Sequence, residues 1–312
     1  MRKITLSSII LLFIIMLAAC GNGADNSSGA NNSEDTITIN HELGETKVKK
    51  NPQKIVVFDF GMLDTLDKMG IEITALPKVT IPPYLNKYEA EKYMNVGSLK
   101  EPDFEKIAEL GPDLIIISTR QAELYEEFDK IGPTLYINLD YTNYMESFKE
   151  NVQTVAKIFG KEDFVKNELA TLDKQIESVK EKVTATNKNA LIILANEGKI
   201  SAYGPNSRFG LIHDVLGFAP VDTNIEVSTH GQSISFEYIV DKDPEYLFVI
   251  DRTAAIGGET AAKEFVENDL TKKTKAFKNG KVFYLDANYW YLSGGGLISV
   301  SEMVKEIENT IK

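Results

Sequence analysis

Four arginines occur in this 312-residue sequence, and three of them stand where the chain can turn a guanidinium toward a ligand. Arg120 follows the apolar run Leu114–Ile117 by three residues, and Arg252 follows Leu247–Ile250 by two. Arg208 belongs to the turn Tyr203-Gly204-Pro205-Asn206-Ser207-Arg208-Phe209-Gly210, just ahead of an apolar segment at 211–216. Arginine stays charged when partly desolvated and offers a planar fork that matches anionic oxygens two at a time. For any single arginine a structural salt bridge is the plain alternative. The joint placement favours a shared anion site. Lys100, in Gly97-Ser98-Leu99-Lys100-Glu101-Pro102, can add a fourth positive charge or sit as a solvated loop lysine. His230 and Tyr291 carry the two side chains suited to ferric iron, imidazole and phenolate; a hydrogen-bonded His and a packed Tyr are the alternatives.

Strands must place these groups. Leu114–Ile117, Leu247–Ile250, Ile55–Phe58 and Leu191–Ala195 are continuous apolar runs, the pattern of parallel strands covered on both faces. The first two belong to an internal repeat. FEKIAELGPDLIIISTR (Phe104 to Arg120) aligns without gaps with FEYIVDKDPEYLFVIDR (Phe236 to Arg252), Phe, Glu, Ile, Pro and Arg falling in register. Each copy reads as amphipathic helix, Pro turn and buried strand, so each half of the protein is predicted to be an α/β lobe with a parallel sheet. In such sheets ligands sit beyond the carboxyl ends of the strands, where both repeat arginines fall. Between the halves, Lys161 to Val183 has no Gly or Pro, and Phe164, Leu169, Leu172, Ile176, Val179 and Val183 recur at helical spacing. Its 23 residues predict one rigid bridging helix of about 35 Å.

Composition sets the outer limits. Against 34 Lys and Arg stand 46 Asp and Glu, a formal charge of −12, which disfavours nonspecific binding to nucleic acid. The single cysteine, Cys20, excludes a disulfide framework within one chain. It closes the segment Leu17-Ala18-Ala19-Cys20 after a basic start and an apolar run too short to span a bilayer comfortably, the form of a secretory signal; the segment resembles the bacterial lipobox, which implies a lipidated cysteine, a free buried Cys being the alternative. Residues 21–34 read as a flexible tether. Loss of residues 1–19 removes Arg2 and Lys3 and deepens the charge to −14. The expected organisation is signal peptide 1–19, lipidated Cys20 and tether 20–35, N-terminal lobe 36–160, bridging helix 161–185 and C-terminal lobe 186–312.

The sequence contains no GxSxG, GxxxxGK[ST], HExxH or CxxC, and His41, His213 and His230 share no close spacing. An enzyme is therefore the disfavoured class. The Leu-Ala-Ala-Cys signal, the paired α/β halves, the bridging helix and the segments Val96–Glu105, Gly204–Gly210, Thr229–Gln232 and Trp290–Gly296 resemble the iron-siderophore binding lipoproteins of Gram-positive ABC importers. The likeness is strongest to the petrobactin-type catecholate binders of bacilli.

This resemblance implies two Rossmann-like lobes joined by a rigid helix, the class III periplasmic-binding-protein arrangement, with a ligand cleft between them. It implies that Arg120, Arg208 and Arg252, with Lys100 nearby, surround an anionic ferric catecholate, and that His230 and Tyr291 complete the iron coordination of incomplete chelates. Tyr84, Tyr203 and Trp290 are expected to pack on catechol rings. Glu105 and Glu237, at one place in each repeat copy, match positions that dock onto arginines of a permease dimer. The expectation is a monomeric, lipid-anchored carrier on the outer face of the membrane, without cofactor or catalysis, its iron carried as the siderophore chelate. A haem or cobalamin binder of the same fold is the alternative, and a siderophore-modifying extracytoplasmic enzyme, such as a hydrolase, the less favoured one.

Overall fold

The computed structural model describes residues 36–258 and 261–311; the signal, Cys20 and the tether lie outside the described residues. The described chain opens with an antiparallel hairpin, β1 (Thr36–His41) and β2 (Gly44–Lys49), paired from Thr36↔Lys49 to His41↔Gly44. The N-terminal sheet follows: β3 (Ile55–Val57), β4 (Ala75–Leu76), β5 (Met94–Asn95), β6 (Leu114–Ser118) and β7 (Thr134–Ile137). Its order is β5-β4-β3-β6-β7, parallel throughout, and β3, β6 and β7 are buried along their whole length.

The C-terminal sheet contains β8 (Asn189–Asn196), β9 (Lys199–Tyr203), β10 (Ala219–Pro220), β11 (Gln232–Ile234), β12 (Tyr246–Asp251) and β13 (Val282–Leu285). The order is β11-β9-β8-β12-β13, with β10 beside the start of β8. Here the all-parallel expectation fails. β9 runs antiparallel to β8, and β11 antiparallel to β9. Only Glu197 and Gly198 separate β8 from β9, both with positive φ (49° and 78°), as a tight primed hairpin turn requires. A parallel return would need a crossover of a dozen or more residues.

Of the helices, α1 (Phe60–Lys68), α2 (Phe104–Leu110), α3 (Tyr144–Phe159), α4 (Glu162–Thr186), α5 (Phe236–Lys242) and α6 (Leu297–Thr310) set the frame. The repeat is visible in space: α2 leads to β6, and α5 to β12. Each helix ends in the left-handed conformation at the same aligned position, Gly111 (φ 57°) and Asp243 (φ 41°). Two residues on, an acidic side chain ties each repeat to the start of the first strand of its sheet, β3 or β8. Asp113 accepts from the Gln53 and Lys54 amides, Glu245 from the Asn189 amide.

The connection between the lobes is α4, a single 25-residue helix that would extend about 38 Å. Val165, Leu169, Leu172, Val179 and Val183 form its buried stripe, and Asn187 closes it in the left-handed conformation. It packs against α3 and α6. The last helix also lies on α1, where side chains of α1 satisfy its open first turn. Asp64 accepts from the Ile298 and Ser299 amides (3.2 and 3.0 Å), and Thr65 Oγ1 from the Leu297 amide (3.1 Å). Burial is the larger influence on Asp64: despite these donors its carboxyl is pushed up to about 7. A Cβ on Gly296 would stand 1.9 Å from Asp64 Oδ1. That glycine thus answers to close packing against α1, while Gly294 and Gly295 line the cleft described next.

Candidate functional site

Past the carboxyl ends of the strands lies a cleft of about 630 Å³, walled by both lobes. Three elements of very different kind bring the arginines to it. Arg120 follows β6 in a turn pinned by Gln121, whose Oε1 accepts from the Ser118 amide and whose Nε2 donates to the Leu99 carbonyl. Arg208 stands in a turn folded on itself: Ser207 Oγ donates to the Gly204 carbonyl, and Asp214 accepts from the Asn206 amide (2.7 Å). A Cβ on Gly210 would reach within 2.5 Å of Asp214 Oδ2, so glycine is needed to close this turn. Arg252 opens the short helix after β12, and Asp251 before it accepts from the Ala254 and Ala262 amides.

All three guanidiniums meet at Tyr291, in the π-helical turn Asn288–Leu292. Arg208 Nη2 donates to the Tyr291 carbonyl at 2.7 Å, and Arg120 Nη2 reaches the same oxygen at 3.3 Å. Arg252 Nε donates to the Tyr291 hydroxyl at 2.8 Å, while its Nη1 holds Asn196 at the end of β8 (2.5 Å). The Tyr291 ring lies 4.3 Å from the Arg208 guanidinium carbon and 5.7 Å from that of Arg252. Burial alone would raise the Tyr291 phenol. The Arg252 hydrogen bond and the charges of Arg208, Arg252 and Arg120 carry it below the ordinary tyrosine value instead. Arg120 keeps solvent contact along the cleft, yet desolvation by the protein crowded around its guanidinium, followed by repulsion from Arg208, lowers its own pKa.

The other expected residues divide. Tyr291, Arg120 and Arg208 line the cleft, with Arg252 directly behind Tyr291. Trp290 belongs to the cleft wall but is 1% exposed, and its indole nitrogen donates to Glu306 (2.8 Å). Tyr84 is equally committed, its hydroxyl held between Asp64 (3.0 Å) and Ser293 (2.7 Å) and its ring 4.7 Å from that of Tyr289. Tyr203 is buried against Phe209 (4.6 Å). Trp290 and Tyr84 thus have their polar atoms claimed by partners within the fold, whereas the ring of Tyr203 is packed and its hydroxyl is left without a partner. Lys100 is exposed in the Ser98–Glu101 turn, outside the cleft wall. His230 is also exposed and off the wall, although its neighbours Ser228 and Thr229 belong to it. Among the described residues no group of three or more His, Cys, Asp or Glu is placed to hold a metal ion.

The N-terminal wall holds residues that sequence reasoning passed over, notably Asp59, Asn138 and Tyr141. Asp59 comes just after β3 and Asn138 just after β7, so the strand-end rule that picked out the arginines applies to them equally.

Two α/β lobes on one bridging helix, with a cleft beyond the strand ends, define a class III periplasmic binding fold. Residues 55–289 match the periplasmic binding protein family, to which this chain belongs. Over 316 aligned positions covering all of both chains, it is 55% identical to the petrobactin-binding protein YclQ of Bacillus subtilis (strain 168). The crystal structure of YclQ superposes with a TM-score of 0.87 at 58% identity, covering 89% of this chain and 99% of that one. The ferric-anguibactin-binding protein FatB of Vibrio anguillarum (strain ATCC 68554 / 775) is 32% identical over 306 residues, 96% of this chain and 95% of FatB.

Proposed function

We propose that this chain captures a ferric catecholate siderophore of the petrobactin type outside the cell membrane and passes it unaltered to an ABC permease. The observation that carries this reading is the convergence of Arg120, Arg208 and Arg252 on Tyr291. Three cations gathered around Tyr291, two in the cleft wall and one behind it, repel one another, and an anionic ligand relieves that repulsion. A ferric tris-catecholate is a trianion, whereas a ferric hydroxamate is nearly neutral and would leave the guanidiniums uncompensated. The names of YclQ and FatB, both binders of iron-siderophore ligands, support the same class.

The carrier reading extends beyond the cleft. Glu105 and Glu237 are exposed in the first turns of α2 and α5, one on each lobe at one place in the repeat, and would meet paired arginines on a two-fold permease. Cys20 would carry the lipid anchor. Where a chelate leaves an iron position open, the lowered phenol of Tyr291 is the group suited to fill it, and His230 would have to swing in from outside the wall.

Titration with ferric petrobactin, a ferric tris-catecholate, ferrichrome and haem tests the reading, followed through quenching of the single tryptophan. The anionic catecholates should bind tightest and be recovered chemically unchanged. Tightest binding of ferrichrome or haem would overturn the anion argument.

A further inference from the structure

Tyr203 carries the one buried side-chain oxygen or nitrogen among the described residues with no hydrogen-bond partner: the side chain is 1% exposed and its hydroxyl is unmatched. Burying a hydroxyl unpaired is costly, and such groups are rare enough in folded proteins that each one asks for a reason. The side chain lies behind the cleft wall. Two wall segments border it, Ser207–Arg208 through the ring of Phe209 and Val227–Thr229 through Gly231. Gly231 (φ 70°) is packed so closely that a Cβ there would stand 2.6 Å from the Tyr203 ring. The turn above it is closed by Ser228, whose carbonyl accepts from the Gly231 amide (3.2 Å) and whose Oγ donates to the Gly231 carbonyl (3.0 Å). Burial pushes the phenol up to about 12, while Arg208 and Arg252 pull the other way and the cleft residues Tyr291 and Tyr141 also bear on it. The hydroxyl therefore keeps its proton at neutral pH and is a donor.

We propose that Tyr203 is a ligand-contacting residue: its hydroxyl donates a hydrogen bond to an anionic oxygen of the bound chelate when Arg208 turns from the Tyr291 carbonyl to the ligand. This rests on the anion-capture reading above and adds a residue to it. The hydroxyl is held unpaired in the ligand-free protein and becomes paired on binding, so its contribution falls on affinity and specificity rather than on folding. A chelate that presents no charged oxygen on this side of the cleft gains nothing from it.

The test is Tyr203→Phe, which keeps the ring against Phe209 and Gly231 and removes only the oxygen. Ferric petrobactin is titrated into wild type and variant, and thermal unfolding is followed in both without ligand. The expected result is about tenfold weaker binding, the loss of one hydrogen bond to a charged acceptor, with a ligand-free unfolding midpoint unchanged or raised. Equal affinity overturns the proposal. So does a lowered ligand-free midpoint, which would show the hydroxyl serving the fold, for example through a buried water. If wild type itself binds no ferric catecholate, the anion-capture reading fails and takes this inference with it. Wild-type binding with an unaffected variant removes Tyr203 alone.

Discussion

Arg208→Ala separates charge recognition from folding more cleanly than any other change in the cleft. In the ligand-free protein the side chain gives one 2.7 Å hydrogen bond to the Tyr291 carbonyl and lies 4.3 Å from the Tyr291 ring. Those contacts are worth about 1 kcal/mol and about 0.5–1 kcal/mol at a partly exposed site. The carbonyl keeps a second donor in Arg120 at 3.3 Å, and removing one cation eases the repulsion that bears on Arg120. The net change in folding stability should thus stay within about 1 kcal/mol. Binding of a trianionic chelate loses a charge-assisted contact of about 1.5–3 kcal/mol, or about 10–150-fold in Kd. Trp290 gives the readout: it is the only tryptophan and adjoins Tyr291 in the chain, and its burial shields it from solvent changes unrelated to the ligand. Titrations with ferric petrobactin and with nearly neutral ferrichrome should diverge, the first weakened and the second not. Unchanged affinity for the anionic chelate, or an equal loss for both, would refute the charge argument.

Other expectations concern the rest of the molecule. Replacing Glu105 and Glu237 together by Ala should leave the ferric-chelate Kd unchanged and abolish iron uptake by cells; normal uptake would end the docking assignment. The Asp64 carboxyl, pushed up to about 7 by complete burial from an unfolded value near 4, is protonated more readily in the folded state. Its stabilising contribution is present below about pH 4 and is lost as the pH rises through about 7. Asp64→Asn should remove that slope, measured as the difference between variant and wild type in urea unfolding across the window. The difference is needed because His213, pushed down to about 4 by burial, tilts the same range in the opposite direction. Parallel profiles for the two proteins would show that Asp64 does not titrate there.

Local pattern was enough for much of the architecture. Short unbroken apolar runs bounded by turn residues read as strands covered on both sides, and the repeat placed an arginine after one such strand in each half. A glycine-free stretch with one apolar stripe had to be a long helix, and α4 spans Glu162–Thr186. Periodicity and strand-end rules act within a few residues, so they survive folding unchanged.

What sequence could not decide was which polar and aromatic groups the fold would claim for itself. Trp290 and Tyr291 are adjacent and look equally available, yet one donates to Glu306 inside the core and the other becomes the meeting point of three guanidiniums. Tyr84 is taken by Asp64 and Ser293, the latter 209 residues away. Gly294, Gly295 and Gly296 form one motif in the chain, but only the last is required by Asp64 on a helix from the other end of the protein. Even the C-terminal sheet turned on two positive-φ residues, Glu197 and Gly198, that set an antiparallel strand in a sheet expected to be parallel. Residue type and spacing thus determined the lobes, the bridge and the three arginines. Partners far apart in sequence compete for each hydrogen bond and each packed ring, and only the tertiary structure decided which side chains were left for a ligand.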